Sequence, residues 1–239
     1  MPSPAANALT RQHRRELAAV TALVTDRVRR TAMQASVGDI DGWWQRILEE
    51  LVALVAIAWR RARGLSSDYL IEHARIEGVT VDPTLATWVT DQVVTSLRVR
   101  GPVLFKTNVG RTGEPTAARA TMARTLPAAA SRLVLAGERD TVARTVEDSD
   151  VIVGWRRVTD ADPCAFCALL ASRGAVYSQG TVRFEAHDGD ECTAEPLYEH
   201  EDEPPEVAEL YQEWLDATAG TGGKAAIRKW RAYWDAKER

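Results

Sequence analysis

Residues 148–158 read DSDVIVGWRRV, and the fold class turns on them. Val151, Ile152, Val153, Trp155 and Val158 are β-branched or aromatic and partly alternate with Gly154, Arg156 and Arg157, as a short strand requires. Before this stretch the apolar residues recur at helical spacing. After it, Ala175 to Ser178 and Thr181 to Phe184 read as further short strands around Gly174 and Gly180. The sequence therefore predicts an α+β chain: a mostly helical region over 1–147, a small β-rich Cys/His domain over 148–200, and an acidic linker with C-terminal helices over 201–239.

Working back from residue 148, alanine-rich helices are expected through about residue 147, broken near Pro127 and Gly137. Lys106 to Pro115 (KTNVGRTGEP) reads as a loop. Asp82-Pro83 is a cap followed by proline, so a helix is expected from there through Leu85, Trp88, Val93 and Leu97, stopping at Gly101-Pro102. Asp39 or Asp41 caps a helix bearing Trp43, Trp44, Ile47, Leu51, Val55 and Trp59, which should end at Gly64. That helix is apolar around most of its circumference, which suits the centre of a bundle or a subunit contact. Ser66 or Ser67 should open another helix, closed by Gly78. Leu9, Leu17, Val20, Val24 and Val28 mark the first helix. Beyond the Cys/His region, Glu199 to Pro205 (EHEDEPP) is an acidic linker. Leu210, Tyr211, Trp214 and Leu215 then share a helix, and Ile227, Trp230 and Trp234 line a terminal one.

The composition is that of a folded chain: 239 residues, 45% hydrophobic and 27% charged, which excludes a disordered tail. The longest apolar run, Leu51 to Trp59, falls far short of the ~20 residues of a membrane span. The N-terminal stretch lacks the apolar segment of a signal peptide. The formal net charge of −4 conceals a division. Residues 98–144 hold nine basic side chains against Glu114, Glu138 and Asp140, whereas 185–216 hold thirteen acidic ones and no Lys or Arg. Such runs are either solvated faces or polarised contact surfaces.

Three cysteines cannot build a disulfide framework, which leaves thiol or metal chemistry in a reducing compartment. All three fall within one short window. Cys164 and Cys167 stand three apart on a tight turn, and His187 and Cys192 complete a C-x2-C-x19-H-x4-C set. Two thiolates, an imidazole and a third thiolate form a closed tetrahedral site, the structural kind of zinc centre. Asp190 is an alternative oxygen ligand. The competing reading is three small, partly buried thiols and a surface histidine.

Enzymatic readings of the same residues meet obstacles. A zinc deaminase needs H-x-E upstream of P-C-x-x-C. The upstream histidines, His13 and His73, stand in H-R-R and H-A-R. A thioredoxin-like motif would follow a βαβ pattern, and here the preceding chain is helical. No G-x-S-x-G, phosphate-binding loop, H-E-x-x-H or G-x-G-x-x-G occurs. His200 reads as a solvated histidine, and nothing proposes a small-molecule substrate.

Taken in order, Gly154 to Val158, Cys164 to Cys167, Arg173 to Tyr177, and His187-Asp188 to Cys192-Thr193 with Pro196 resemble the phage Mu F-like minor head proteins. The match is closest to the actinobacteriophage branch, often labelled capsid maturation protease. The motif-bearing part spans roughly residues 150–197, and the helical region from about Trp43 follows the family's N-terminal half more loosely. The resemblance implies a non-enzymatic, portal-associated minor capsid protein of a tailed phage. It would face the capsid interior and serve head assembly and genome packaging or delivery, inside the virion and, during assembly, in the host cytoplasm. Its partners would be the portal protein, the major capsid protein and packaged DNA, with no membrane. Portal docking would use the helix carrying Trp43, Trp44 and Trp59, and DNA contact the basic 98–144 region. Cys164, Cys167, His187 and Cys192 fall on the family's Cys/His motif. The chain departs at Asp190, where related sequences commonly carry another cysteine. The alternatives are a capsid maturation protease or other phage-head enzyme, and a zinc-dependent DNA-associated module.

Overall fold

Three long helices form the body of the molecule. The computed structural model describes residues 3–159, 163–175, 177–178, 184, 186–198 and 203–237. Helix α1 (Pro4–Met33) begins where the Ser3 hydroxyl accepts from the Ala6 amide at 3.2 Å, with Pro4 in the first turn. It buries Leu17, Val24 and Val28 along one stripe. Helix α2 (Ile40–Ile76) is capped by Asp39, whose carboxylate accepts from the Gly42 amide at 2.9 Å. Helix α5 (Pro115–Asp148) lies against both and is buried on most sides, as its alternation of Ala with Leu and Val allows. Each fully buried Leu or Val in this core contributes roughly 1.5–3 kcal/mol.

Several helix limits differ from the sequence expectation. Helix α2 runs unbroken through Gly64 and Ser66, so the two expected helices are one. A glycine costs only ~1 kcal/mol in a helix interior, and the burial of Trp59, Ala62, Leu65 and Tyr69 on either side outweighs it. Helix α5 likewise runs through Pro127 and Gly137 without a break. Asp82-Pro83 opens no helix. Residues 79–89 form no regular element, and the Thr84 and Ala86 amides donate to the Thr145 and Thr141 hydroxyls of α5, at 3.0 and 3.1 Å. The helix starts at α3 (Thr90–Arg98), kinks at Gly101 and resumes as α4 (Leu104–Thr112). Most of the expected 106–115 loop is thus helical. Trp43, Trp44 and Trp59 are buried in this core.

The C-terminal part adds a small sheet and three helices. Strand β1 (Gly154–Val158) is central, with β2 (Tyr177–Ser178) and β3 (Thr193–Leu197) antiparallel on its two edges. Trp155 stands opposite Tyr177 on one side and Pro196 on the other. Pro196 is tolerated because β3 is an edge strand. The expected strand at 181–184 and the linker centre at 199–202, including His200, lie outside the described residues, apart from Phe184. Ile152, Trp155 and Ala194 pack with Leu70, Val142 and Val146, which joins the sheet to α2 and α5. Helix α6 (Ala165–Ala171) lies under the hairpin of α7 (Pro205–Thr218) and α8 (Gly223–Lys237), against Trp230 and Trp234. The architecture is α+β with helical ends, as the sequence predicts. Among the described residues no helix is long and apolar enough to cross a membrane.

Candidate metal centre

Cys164 is the residue before the first turn of α6, and Cys167 lies within that turn, so the C-x-x-C spacing points both thiols toward the helix start. Helix α8 holds this turn in place. The indole N–H of Trp230 donates to the Ala165 carbonyl at 2.7 Å, and that of Trp234 to the Pro163 carbonyl at 2.8 Å.

The 187–192 loop approaches from the other side. Gly189, at φ +83°, makes the tight turn, and its amide donates to the Ala128 carbonyl of α5 at 3.2 Å. Arg132 and Arg100 grip the Asp188 carboxylate at 2.8 and 2.6 Å. Arg139 donates to the carbonyls of Asp190 and Cys192 at 2.8 and 2.9 Å. Three of the basic side chains of 98–144 therefore hold this loop, Arg139 from the interior and Arg132 and Arg100 from partly exposed positions.

Together the two segments bring Cys164 Sγ to 3.0 Å and Cys167 Sγ to 3.5 Å from His187 Nε2. Cys167 also belongs to a second group with Cys192 and Asp190, whose ligand atoms lie within 4.8 Å of one another. Cys167 is the shared vertex. The thiol of Cys164 is held down, at about 5, first by its hydrogen bond with Cys167 and then by His187, against its partial burial. Cys167 is pushed up by its hydrogen bonds with Cys164 and Cys192 and by burial.

These donors could hold a metal ion. For zinc, metal–sulfur bonds of ~2.3 Å and metal–nitrogen bonds of ~2.0 Å set tetrahedral edges of roughly 3.5–3.8 Å; the Cys167–His187 separation of 3.5 Å matches, and the Cys164–His187 separation of 3.0 Å is shorter. His187 Nδ1 lies 2.9 Å from the Asp188 carbonyl, which only accepts, so the ring proton sits there and Nε2 offers its lone pair to the thiols. Charge also balances. Three thiolates, a neutral imidazole and a dication carry one net negative charge. Beside them, buried Arg139 and Arg157 share the single carboxylate of Asp190, at 3.1 Å each, which leaves one positive charge over.

Asp190 has other employment. One oxygen accepts from Arg139 and from the Cys192 amide, at 3.1 and 2.8 Å, and the other from Arg157. Burial works to raise its pKa, and the two guanidiniums outweigh that and hold it below the usual carboxylate range. Its carboxylate orients Cys192, which joins Cys164 and His187 through the shared Cys167.

A sequence model of the VG15 protein family matches residues 4–217, from the first turn of α1 to the last of α7. This chain belongs to the VG15 protein family. It is therefore a phage or viral protein. No match is found among curated proteins or among solved structures.

The VG15 chain also has a polar interior that the sequence reading missed. Thr10 donates to Glu195 Oε1 at 2.7 Å and lies 2.9 Å from the Tyr69 hydroxyl. Arg156 Nε donates to Glu195 Oε2 at 2.6 Å, and Glu138 accepts from Thr193 at 2.6 Å. His13 stacks flat on Tyr69 at 4.3 Å, with His73 against its edge. The signal available was polar residues on apolar stripes: Thr10 and His13 on α1, Tyr69 and His73 on α2. Nothing local tied them to Glu138 or Glu195.

Proposed function

We propose that this VG15 protein is a minor component of a tailed-phage head, associated with the portal and facing the capsid interior, with a role in head assembly and genome packaging or delivery. Family membership over residues 4–217 carries the reading, and the Cys164…Cys167…His187…Cys192 constellation that resembles the Mu F-like head proteins supports it. The role is structural. A zinc ion bound by those four residues supplies a cross-link between α6 and the 187–192 loop, whose sequence separation is too large for local hydrogen bonds to fix. The portal is the first partner, with the major capsid protein and packaged DNA as further ones. Because Trp43, Trp44 and Trp59 are buried, portal contact falls to other surface side chains.

Cross-linking mass spectrometry of assembled heads tests this. The expected result is a few copies per head, cross-linked to portal. Absence of the protein from heads and procapsids contradicts it.

One observation favours an enzyme instead. Cys164 is exposed, its thiol is lowered, and it sits 3.0 Å from an imidazole nitrogen, the arrangement of a cysteine nucleophile with its base. Against it, Cys167 converges on the same nitrogen. Incubating the purified chain with procapsids separates the readings: major-capsid cleavage that Cys164→Ser abolishes supports a maturation protease, and intact capsid protein supports the structural role.

A further inference from the structure

The three cysteines differ in access. Cys164 is exposed, whereas Cys167 and Cys192 are buried. The Ala168 amide donates to the Cys164 carbonyl at 2.9 Å, so Cys164 is on the helical path of α6, three residues before Cys167. Helical geometry puts Cα atoms three residues apart at ~5 Å, inside the ~4.4–6.8 Å that a disulfide spans. The two Sγ atoms lie within 4.8 Å of each other, and both face His187 Nε2. Cys167 Sγ is also within 4.8 Å of Cys192 Sγ, while Cys164 and Cys192 share no such group. Cys167 therefore has two neighbouring thiols, and of these Cys164 alone meets solvent.

We propose that Cys164 is a site of oxidation by a hydroperoxide, and that Cys167 resolves the product into a Cys164–Cys167 disulfide. The Cys164 sulfur attacks one peroxide oxygen: the S–O bond forms, the O–O bond breaks, and sulfur gives up the electron pair. The thiol proton passes through His187 Nε2, at 3.0 Å, to the leaving oxygen. The hydroperoxide is thereby reduced to an alcohol, or hydrogen peroxide to water, and Cys164 becomes a sulfenic acid. The Cys167 sulfur then attacks the sulfenic sulfur. The S–S bond forms, the S–O bond breaks, and hydroxide leaves with the Cys167 proton as water.

Cys192 is held out of this step. Its amide donates to Asp190, whose carboxylate is fixed by buried Arg139 and Arg157. Cys192 thus stays on the loop side while the C-x-x-C turn closes on itself. The disulfide takes Cys164 and Cys167 away from His187 and Cys192, so the oxidation unties α6 from the 187–192 loop and releases any metal held between them. The inference needs the thiols alone and rests on neither the head-protein reading nor a bound ion.

Peptide mass mapping tests the proposal. Full-length protein, as purified and after chelation, is treated with hydrogen peroxide, alkylated and digested without reduction. In both samples the free thiols should fall from three to one, with Cys164 joined to Cys167 and Cys192 alkylated, and dithiothreitol should restore all three. In Cys167→Ser, oxidation should stop at a Cys164 sulfenic acid that dimedone traps, and Cys192→Ser should still form the bond. The wild-type map decides the matter even where a variant fails to fold. A Cys167–Cys192 bond, or a Cys164 alkylated as fully after peroxide as before, overturns the proposal. The chelated sample carries the test alone, so a protein purified without metal counts against the metal centre and not against this step.

Discussion

His13 is a neutral imidazole in the middle of a helical bundle, and its pKa is lowered from 6.5 to about 3 by burial. Below pH 6.5 the unfolded chain takes up a proton there that the folded chain refuses, so this residue removes stability as pH falls toward 3. Glu138, 4.0 Å away, has the opposite sign. Burial raises it from 4.5 to about 7 against the pull of Arg139, so the folded chain takes up its proton first and gains stability as pH falls from 7 to 4.5. The two oppose each other between pH 6.5 and 4.5, and below 4.5 only the His13 loss continues. Between pH 7 and pH 4, wild type should lose about 3 kcal/mol more than His13→Leu, by urea unfolding at the two values. An equal loss in both proteins removes His13 from the account. Neither residue's role was legible in the sequence, because the partners of His13 are Tyr69 and Glu138, brought close only by the packing of three helices. The cysteines were legible because their spacing is local, and the two arginines on Asp190 were not, because they come from α5 and β1.

At the scale of elements, two glycines that read alike as helix breakers behave differently. A methyl group at Gly64 meets nothing within 4 Å, whereas at Gly137 it would lie 2.5 Å from the Trp59 carbonyl oxygen of α2. Gly64→Ala should therefore stabilise the protein by ~0.5–1 kcal/mol, the helix-propensity gain. Gly137→Ala should destabilise it by ~1–3 kcal/mol, because two helix backbones must separate. Denaturant midpoints of the two variants check both signs, and a stabilising Gly137→Ala would mean that α2 and α5 are not packed this closely. Periodicity located the apolar faces of α1 and α2, and α5, buried on most sides, shows no such stripe. It failed at the breakers because tertiary burial on both sides of Gly64 and Pro127 exceeds their local cost. Strand β3 was missed for a different reason: TAEPL has little β-branched character and contains a proline, and its edge position in the sheet is what admits it.

On the scale of the whole molecule, the bundle and the C-terminal hairpin meet at the Cys/His region. Helix α8 grips the Cys164 turn through Trp230 and Trp234, and α5 grips the 187–192 loop through Arg132 and Arg139. The thiols and His187 lie between the two. Chelation should therefore raise hydrogen exchange in residues 163–171 and 205–237 while leaving α1, α2 and α5 protected, and re-addition of zinc should reverse the change. Uniform loosening would show that the centre supports the bundle as well. The bound ion is measured directly by native mass spectrometry of the protein purified without chelator. One zinc per chain is expected, retained in Asp190→Asn and lost in Cys167→Ser. A wild-type mass without metal, in a preparation that has not met chelator or acid, would contradict it.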